Sequence, residues 1–207
     1  LIKPDLVAPG NLIIGARSKN NDIIDENPNL AVESSADDTR KMMYMSGTSM
    51  ATPIVSGTVA LLLQANPKLT PNMVKMILQY SAQRLARFNT LEQGAGLLNV
   101  EGAVRLARSI RQDMPSPSPH GEPMMASNSM PQHVSTIAGT RFQWSGGILP
   151  NYAALTGTEL ITKYQRIYDN GLLISDGLLI SDGLLISDGL LISDGLLISD
   201  GLLISDG

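Results

Sequence analysis

The sequence has 207 residues, of which 43% are hydrophobic and only 4% aromatic, so any core must be built mainly from aliphatic side chains and methionine. The formal net charge is −4, and no basic stripe typical of nucleic-acid binders is present, which argues against that class. The chain has no cysteine, which excludes disulfides and cysteine-based zinc or redox sites.

The first 41 residues predict two short strands and a polar loop. Residues 5–8 and 12–14 are apolar runs separated by the turn residues Pro9-Gly10-Asn11. Asp5, at the start of the first run, is interpreted as a cap for the adjacent turn. Residues 17–41 are rich in Asn, Asp and Ser and show little periodicity, so they are predicted to form a surface loop or insertion.

Three helices are predicted between residues 49 and 111. The first, over 49–65, is apolar on most faces and is predicted to lie in the middle of a domain, with Pro53 in its first turn. The second begins at Thr70-Pro71, an N-cap followed by proline, and is predicted to be an amphipathic outer helix. The third covers about 101–111. No apolar run approaches the roughly 18 residues that a membrane span requires, so none is predicted.

The composition changes after Gln112. Residues 113–133 are rich in Pro, Ser and Met and predict a disordered linker. Residues 134–171 stay unassigned, apart from a candidate short helix over 156–168. Residues 172–207 repeat the hexapeptide Leu-Leu-Ile-Ser-Asp-Gly without variation.

The repeat tail over 172–207 allows three structures. Asp-Gly is a hairpin signal, so a meander of four-residue strands is one. A β-solenoid with six residues per side is the second. The third, a tail without a unique fold, is favoured because identical copies do not distinguish one register from a slip by six residues. The Leu and Ile residues make self-association of the tail an expectation.

The segment Met-Ser-Gly-Thr-Ser-Met-Ala-Thr-Pro, residues 45–53, carries the candidate chemistry. Ser49 falls at the start of the apolar helix, where the helix dipole and a free backbone N–H favour a negatively charged oxygen. Gly47 has no side chain and lets a substrate carbonyl approach the backbone. From this local pattern alone, an N-cap remains the commoner explanation of Gly-Thr-Ser before a helix.

Residues 47–53, followed by Val55 and Gly57, resemble the serine signature of the subtilisin-like serine peptidases, the subtilase family. The segment Lys-Pro-Asp-Leu-Val-Ala-Pro-Gly at 3–10 and the segment Gly-Ala-Gly-Leu-Leu-Asn-Val at 94–100 also resemble that family, in the family's order. No such resemblance extends over residues 113–207.

The resemblance implies that residues 1–112 form the C-terminal part of an α/β catalytic domain, with a mostly parallel sheet and helices on both faces. It implies a serine endopeptidase that cleaves peptides or proteins through an acyl-enzyme on Ser49. The backbone N–H groups of Gly47, Thr48 and Ser49 would form the substrate and oxyanion region. The family also implies a secreted or cell-surface location.

The rest of the catalytic machinery is not found in the sequence. In the family the triad order is Asp, His, Ser, yet the chain contains neither an Asp-Ser/Thr-Gly nor a His-Gly-Thr-His segment. We therefore expect a fragment that follows those residues and any signal peptide, and that is inactive alone. The two histidines, His120 and His133, fall in the Pro/Ser/Met-rich stretch and are interpreted as solvated linker residues.

No cofactor is predicted, and no metal site is assigned. A structural calcium ion would be compatible with the family, but the acidic residues of the polar loop lack the alternation of a dedicated calcium loop, so a solvated surface is favoured for Asp22, Asp25 and Glu26.

The alternative function is a non-catalytic scaffold derived from a subtilase, or an interaction module that displays a self-associating tail. An α/β-hydrolase esterase is disfavoured because Ala51 stands where the nucleophile elbow has glycine.

Overall fold

The computed structural model describes residues 2–32, 40–115, 118–127, 130–150 and 153–168, and the backbone of six strands in the repeat tail. The chain divides into two compact units. One is Ala8–Gly57, and the other combines Leu1–Val7 with Thr58–Gly207.

In the unit Ala8–Gly57, a small antiparallel sheet organises the polar segment. Strands β1 (Ile13–Ala16), β2 (Ala31–Val32) and β3 (Met42–Met45) are arranged in the order β1-β3-β2. Helix α1 (Asp22–Glu26) and a 3-10 turn (Pro28–Leu30) connect β1 to β2. The described residues 17–32 thus contain a helix, a 3-10 turn and a strand, within the segment predicted as a surface loop or insertion.

The start of α1 explains how a helix forms in this segment. Asn21 is its N-cap, and the Asn21 side chain accepts a hydrogen bond from the Ile24 N–H at 3.2 Å. Ile24 is buried, as is Met43 on the central strand. The Asn21 cap and the buried side chain of Ile24 therefore allow a helix to form in a stretch whose overall composition is polar.

The mostly parallel sheet implied for residues 1–112 is not formed by the described strands. Both pairings of β3, with β1 and with β2, are antiparallel. The parallel pairing in this part of the chain is a single bridge, in which the Val7 N–H donates to the Gly96 carbonyl at 3.0 Å and the Leu98 N–H donates to the Val7 carbonyl at 2.8 Å. The described residues of 1–112 thus combine helices and strands without an extended parallel sheet.

Helix α2 (Thr48–Ala65) is the longest helix in the described part of the chain. Its buried residues, Thr58 and Leu62, lie four positions apart and share one face, whereas Leu61 and Leu63 are 46% and 41% exposed. The helix is therefore not enclosed as its composition predicts, because the described residues cover one face only.

By length and composition, α2 would also fit across a membrane. No unbroken apolar run indicates this property in the sequence, because Thr, Ser and Gln residues interrupt the helix. Core helices of soluble domains pass the same test, so this finding alone does not make α2 a membrane span.

Helices α3 (Pro71–Tyr80) and α5 (Val100–Ser109) form the core of the second unit, with the short α4 (Thr90–Gln93) between them. The predicted start of α3 is confirmed, because the Thr70 hydroxyl accepts from the Met73 N–H at 3.1 Å. More of α3 is buried than an outer helix requires: the buried residues are Met73, Val74, Met76, Ile77, Leu78, Gln79 and Tyr80.

Residues after Gln112 continue this unit. Met124 is fully buried, Met125 forms a bridge with Ile110, and Arg111 pairs with Asp113 at 2.8 Å and with Glu122 at 2.9 Å. The described residues of 113–133 thus depart from the disordered linker that their composition predicts. A few anchored side chains are enough to hold a stretch rich in Pro and Ser against a core.

Two small antiparallel pairs follow, β4 (Val134–Ile137) with β5 (Thr140–Gln143) and β6 (Gly147–Ile148) with β7 (Leu155–Thr156). The helix predicted over 156–168 is shorter and interrupted: it consists of α6 (Glu159–Thr162) and a 3-10 turn at Arg166–Tyr168.

Trp144, which follows β5, anchors the first pair to α5. Its indole Nε1 donates to the Ser135 hydroxyl at 2.9 Å, and the Asn99 side-chain amide donates to the same oxygen at 3.0 Å. The indole ring stacks on His133 with centroids 5.5 Å apart, and the guanidinium of Arg105 lies 4.9 Å from the indole centroid. These contacts join residues 133–144 to the helical core.

In the repeat tail, six strands form two parallel three-stranded sheets. The strands are β8 (Leu173–Asp176), β9 (Leu179–Ser181), β10 (Leu185–Asp188), β11 (Leu191–Ser193), β12 (Leu197–Ser199) and β13 (Leu203–Ser205). The sheet orders are β12-β10-β8 and β13-β11-β9. Parallel neighbours twelve residues apart are what the β-solenoid requires, whereas a hairpin meander would require antiparallel neighbours. The parallel pairing differs from the favoured prediction of a tail without a unique fold.

Asp5 fixes the N-terminal segment to α3, a role other than the predicted turn cap. Its carboxylate accepts from the Gln79 side-chain amide at 3.1 Å and pairs with Lys3 at 2.7 Å and Lys75 at 3.0 Å. Burial on its own would raise the pKa of this carboxyl, but the hydrogen bonds and charges of the two lysines outweigh it, so the pKa is lowered.

A lowered pKa in the folded state means that the Asp5 carboxylate stabilises the fold above about pH 4, and that this contribution is lost as the pH falls through the folded-state pKa. The substitution Asp5→Asn is expected to lower the free energy of unfolding at pH 7 by about 1 kcal/mol, because the pair is partly exposed. It should also flatten the loss of stability on acidification. Urea unfolding at pH 7 and pH 3 checks both effects, and an unchanged stability at pH 7 would contradict this role.

Candidate functional site

Gly47, Thr48 and Ser49 lie together at the N-terminus of α2. The Gly47 carbonyl accepts the first hydrogen bonds of the helix, from the N–H groups of Met50 at 3.0 Å and Ala51 at 3.2 Å. The N–H groups of Thr48 and Ser49 precede these and have no backbone acceptor among the described residues. They are available to an external acceptor.

The Ser49 side chain is accessible. Ser49 is exposed, and its hydroxyl has no hydrogen-bond partner in the described part of the chain. At this end of an 18-residue helix, the aligned peptide dipoles favour negative charge. A carbonyl oxygen that becomes negative beside Ser49 would meet both the helix dipole and the free N–H groups.

The loop before Ser49 is fastened to the Pro9-Gly10 turn. The Gly47 N–H donates to the Gly10 carbonyl at 2.8 Å. The Ser46 hydroxyl accepts from the Leu12 N–H and donates to the Asn11 side-chain oxygen, each at 2.9 Å. The turn is part of the family resemblance, but the contact between Ser46 and Asn11 is not predicted by the sequence, because no local pattern links polar residues so far apart.

Glycine is required at two positions in this loop. Gly47 has φ +151°, a conformation that residues with a side chain rarely adopt. At Gly10, a Cβ would lie 2.7 Å from the Gly47 carbonyl oxygen and 3.0 Å from the Ala51 Cβ. The turn can approach the helix start because both Gly10 and Ala51 are small.

The substitution Gly10→Ala is therefore expected to displace the serine loop and to lower the free energy of unfolding by about 2 kcal/mol, as overpacking does. Gly15→Ala is the matched control, because a Cβ on Gly15 of β1 would meet nothing within 4 Å. Urea unfolding of the two variants checks the difference. Equal stabilities would show that the loop adapts to a side chain at Gly10.

Pro53 lies deeper in the helix than predicted. Since α2 begins at Thr48, Pro53 falls in the second turn rather than the first. Proline has no N–H, so it cannot donate to the carbonyl of Ser49, four residues earlier. The Thr52 hydroxyl donates to the neighbouring Thr48 carbonyl at 2.9 Å. The helix start therefore departs from regular backbone bonding at the residue that carries the candidate nucleophile.

His133 is not the solvated linker residue that its sequence context suggests. Its ring stacks on Trp144, and its centroid lies 5.4 Å from that of Tyr80 in an edge contact. Burial and then the charge of Arg105 lower the pKa of His133. Its Nε2 is buried without a hydrogen-bond partner among the described residues. His120 is exposed.

The described residues offer no evident metal centre. Within these ranges, no group of three or more His, Asp or Glu side chains is placed to hold an ion. The acidic residues considered for calcium are exposed on α1: Asp22, Asp25 and Glu26.

An exposed serine at a helix start, beside N–H groups without acceptors among the described residues, is an arrangement that a serine nucleophile requires. The model of the Subtilase family, peptidase family S8, matches residues 1–103, which include this loop and its supporting turn. Residues 1–103 therefore belong to the subtilase family of serine peptidases.

Known relatives also match part of the chain. Serine protease AprX of Bacillus subtilis (strain 168) is 42% identical over 102 residues, which are 49% of this chain and 22% of AprX. Subtilisin-like protease SBT3.9 of Arabidopsis thaliana is 33% identical over 121 residues, 51% of this chain and 14% of that protein. Tripeptidyl-peptidase 2 of Drosophila melanogaster is 41% identical over 76 residues, 35% of this chain and 5% of that protein. The chain thus spans less than a quarter of the length of each.

Proposed function

We propose that residues 1–112 are the nucleophile-bearing part of a secreted or cell-surface serine endopeptidase, and that Ser49 forms the acyl-enzyme. The observation that carries this proposal is the position of Ser49. Its hydroxyl is exposed at the N-terminus of α2, beside backbone N–H groups without acceptors, in a segment that belongs to the subtilase family.

In the proposed reaction, the Ser49 Oγ attacks the carbonyl carbon of the scissile peptide bond while a histidine base takes its proton. Negative charge then develops on the carbonyl oxygen, which accepts a hydrogen bond from the Ser49 N–H. Gly47 leaves room for the substrate carbonyl to approach. Collapse of this intermediate breaks the C–N bond, and the histidine passes the proton to the leaving amine. Water then hydrolyses the ester on Ser49.

The chain supplies only part of this machinery. The base, the acid that orients the base and a side-chain oxyanion donor would come from sequence outside these 207 residues. In subtilisin, loss of the triad histidine lowers kcat by about 10⁶. The chain alone is therefore expected to show no measurable peptidase activity.

A chimaera tests the proposed function. Residues 1–103 would replace the matching segment of AprX, with which the chain shares 42% identity over 102 residues. We expect the chimaera to hydrolyse a peptide substrate and the 207-residue chain alone to be inactive. A folded chimaera without activity would favour the alternative, a non-catalytic scaffold. Circular dichroism and thermal unfolding establish whether the chimaera is folded.

A further inference from the structure

The two sheets of the repeat tail each end in strands with one partner. The outer strands are β8 and β12 in one sheet and β9 and β13 in the other, and no described strand pairs with their outer edges. Strands β8 and β9 form the first turn of the solenoid, and β12 and β13 form the last. Among the described strands, the backbone groups on these outer edges therefore have no strand partner.

The register within the tail is the same at every step. Leu173 pairs with Leu185, and Leu185 pairs with Leu197, so each residue lies beside its own copy twelve positions along. The second sheet follows the same rule, with Leu179 beside Leu191 and Leu191 beside Leu203. The last turn therefore offers the same sequence, strand direction and spacing to a following strand as each earlier turn offers to the next.

We propose that the chain assembles head to tail through this repeat, with β8 and β9 of one copy pairing with β12 and β13 of the preceding copy. The new contacts would continue the internal register and place Leu173 beside Leu197 of the preceding copy. The two joined ends differ, so the association is heterologous and open-ended rather than a closed dimer. The proposal does not depend on the peptidase function.

The sequence of the tail supports exposed edges of this kind. Protected edge strands commonly carry Lys or Pro, and residues 172–207 contain neither. The pairing of Asp176 with Asp188 sets like charges side by side, which opposes stacking, but the same pairing is already accommodated between turns of one chain. A second copy would add no kind of contact that the tail does not already contain.

Two double variants of the whole chain test the proposal. The substitutions Ile198→Lys and Ile204→Lys place a charge on each strand of the last turn, and Ile174→Lys and Ile180→Lys do the same on the first turn. Sedimentation velocity over a range of concentrations would follow the size of each variant and of an equimolar mixture.

We expect the unmodified chain to grow in size with concentration and each variant alone to stay monomeric. Their mixture should stop at a heterodimer, because one intact first turn and one intact last turn remain. Dimers of the first-turn variant alone would show instead that two last turns pair with each other, and would overturn the head-to-tail geometry. A monomeric unmodified chain at all concentrations would overturn the proposal as a whole.

A deletion controls for damage to the tail itself. Removing residues 196–207 takes away one complete turn and leaves β10 and β11 as the last strands, with the same sequence as before. This shortened chain is expected to assemble like the full chain. If it stays monomeric while the full chain assembles, the repeated edge is not the contact surface.

Discussion

The substitution Ser49→Ala in the AprX chimaera is expected to lower kcat by about 10⁶-fold, the loss that removal of the catalytic serine causes in subtilisin. The reason is chemical: without the hydroxyl no acyl-enzyme forms, and the free N–H groups at the start of α2 have no tetrahedral intermediate to stabilise. Steady-state kinetics on a peptide substrate give kcat and KM for the chimaera and its variant.

Ser56→Ala is the matched control for this measurement. Ser56 lies on the same helix, is exposed, and donates its hydroxyl to the Thr52 carbonyl at 3.2 Å, two turns after Ser49. Its loss is expected to leave kcat unchanged within about twofold, because exposed substitutions of this kind cost little. Full activity in the Ser49→Ala chimaera would show that another residue carries the chemistry.

The substitution Trp144→Ala is expected to lower the free energy of unfolding of the whole chain by about 3–5 kcal/mol, the range for large buried aromatic residues. Trp144 is buried, stacks on His133 and lies beneath the guanidinium of Arg105. Its removal also takes away the hydrogen bond from Nε1 to the buried Ser135 hydroxyl. The cavity left by the indole ring and the lost hydrogen bond both contribute to the decrease in the free energy of unfolding.

Phe88→Ala controls for the loss of an aromatic ring as such, because Phe88 is 54% exposed. Phe88→Ala is expected to lower the free energy of unfolding by less than about 0.5 kcal/mol. Urea unfolding followed by far-ultraviolet circular dichroism suits both variants, since Trp144 is the single tryptophan and its fluorescence is lost with it. Similar small decreases in the free energy of unfolding for both variants would mean that the Trp144 side chain does not hold residues 133–144 on α5.

The parts of the structure that the sequence predicted are those set by neighbouring residues. Thr70 and Pro71 predict the start of α3, because the N-cap residue and the proline after it both act within the first turn of the helix. The segment around Ser49 likewise predicts the start of α2. The family resemblance added the nucleophile role of Ser49, which the local pattern left open. Both signals lie within a few residues of the feature that they predict.

The remaining parts depend on contacts between distant residues. Trp144 contacts Arg105 and Ser135, and Asp5 forms an ion pair with Lys75. These residues lie too far apart in the sequence for hydrophobic periodicity to predict their contacts. Composition predicted a linker over 113–133 because it averages over residues, whereas the buried Met124 and the ion pair of Arg111 with Glu122 are individual contacts that such an average does not contain. In the tail, identical repeats leave the register open in the sequence, and the parallel pairing selects a step of twelve residues.

The most direct test of the account is covalent labelling of Ser49 with a fluorophosphonate, followed by peptide mapping, in the 207-residue chain and in the AprX chimaera. We expect the chain alone to stay unlabelled, because Ser49 has no base in it, and the chimaera to be labelled at Ser49 and to lose its activity. Labelling of Ser49 in the chain alone would contradict the claim that these 207 residues lack the catalytic base. Labelling of an active chimaera at a different residue would contradict the claim that Ser49 is the nucleophile.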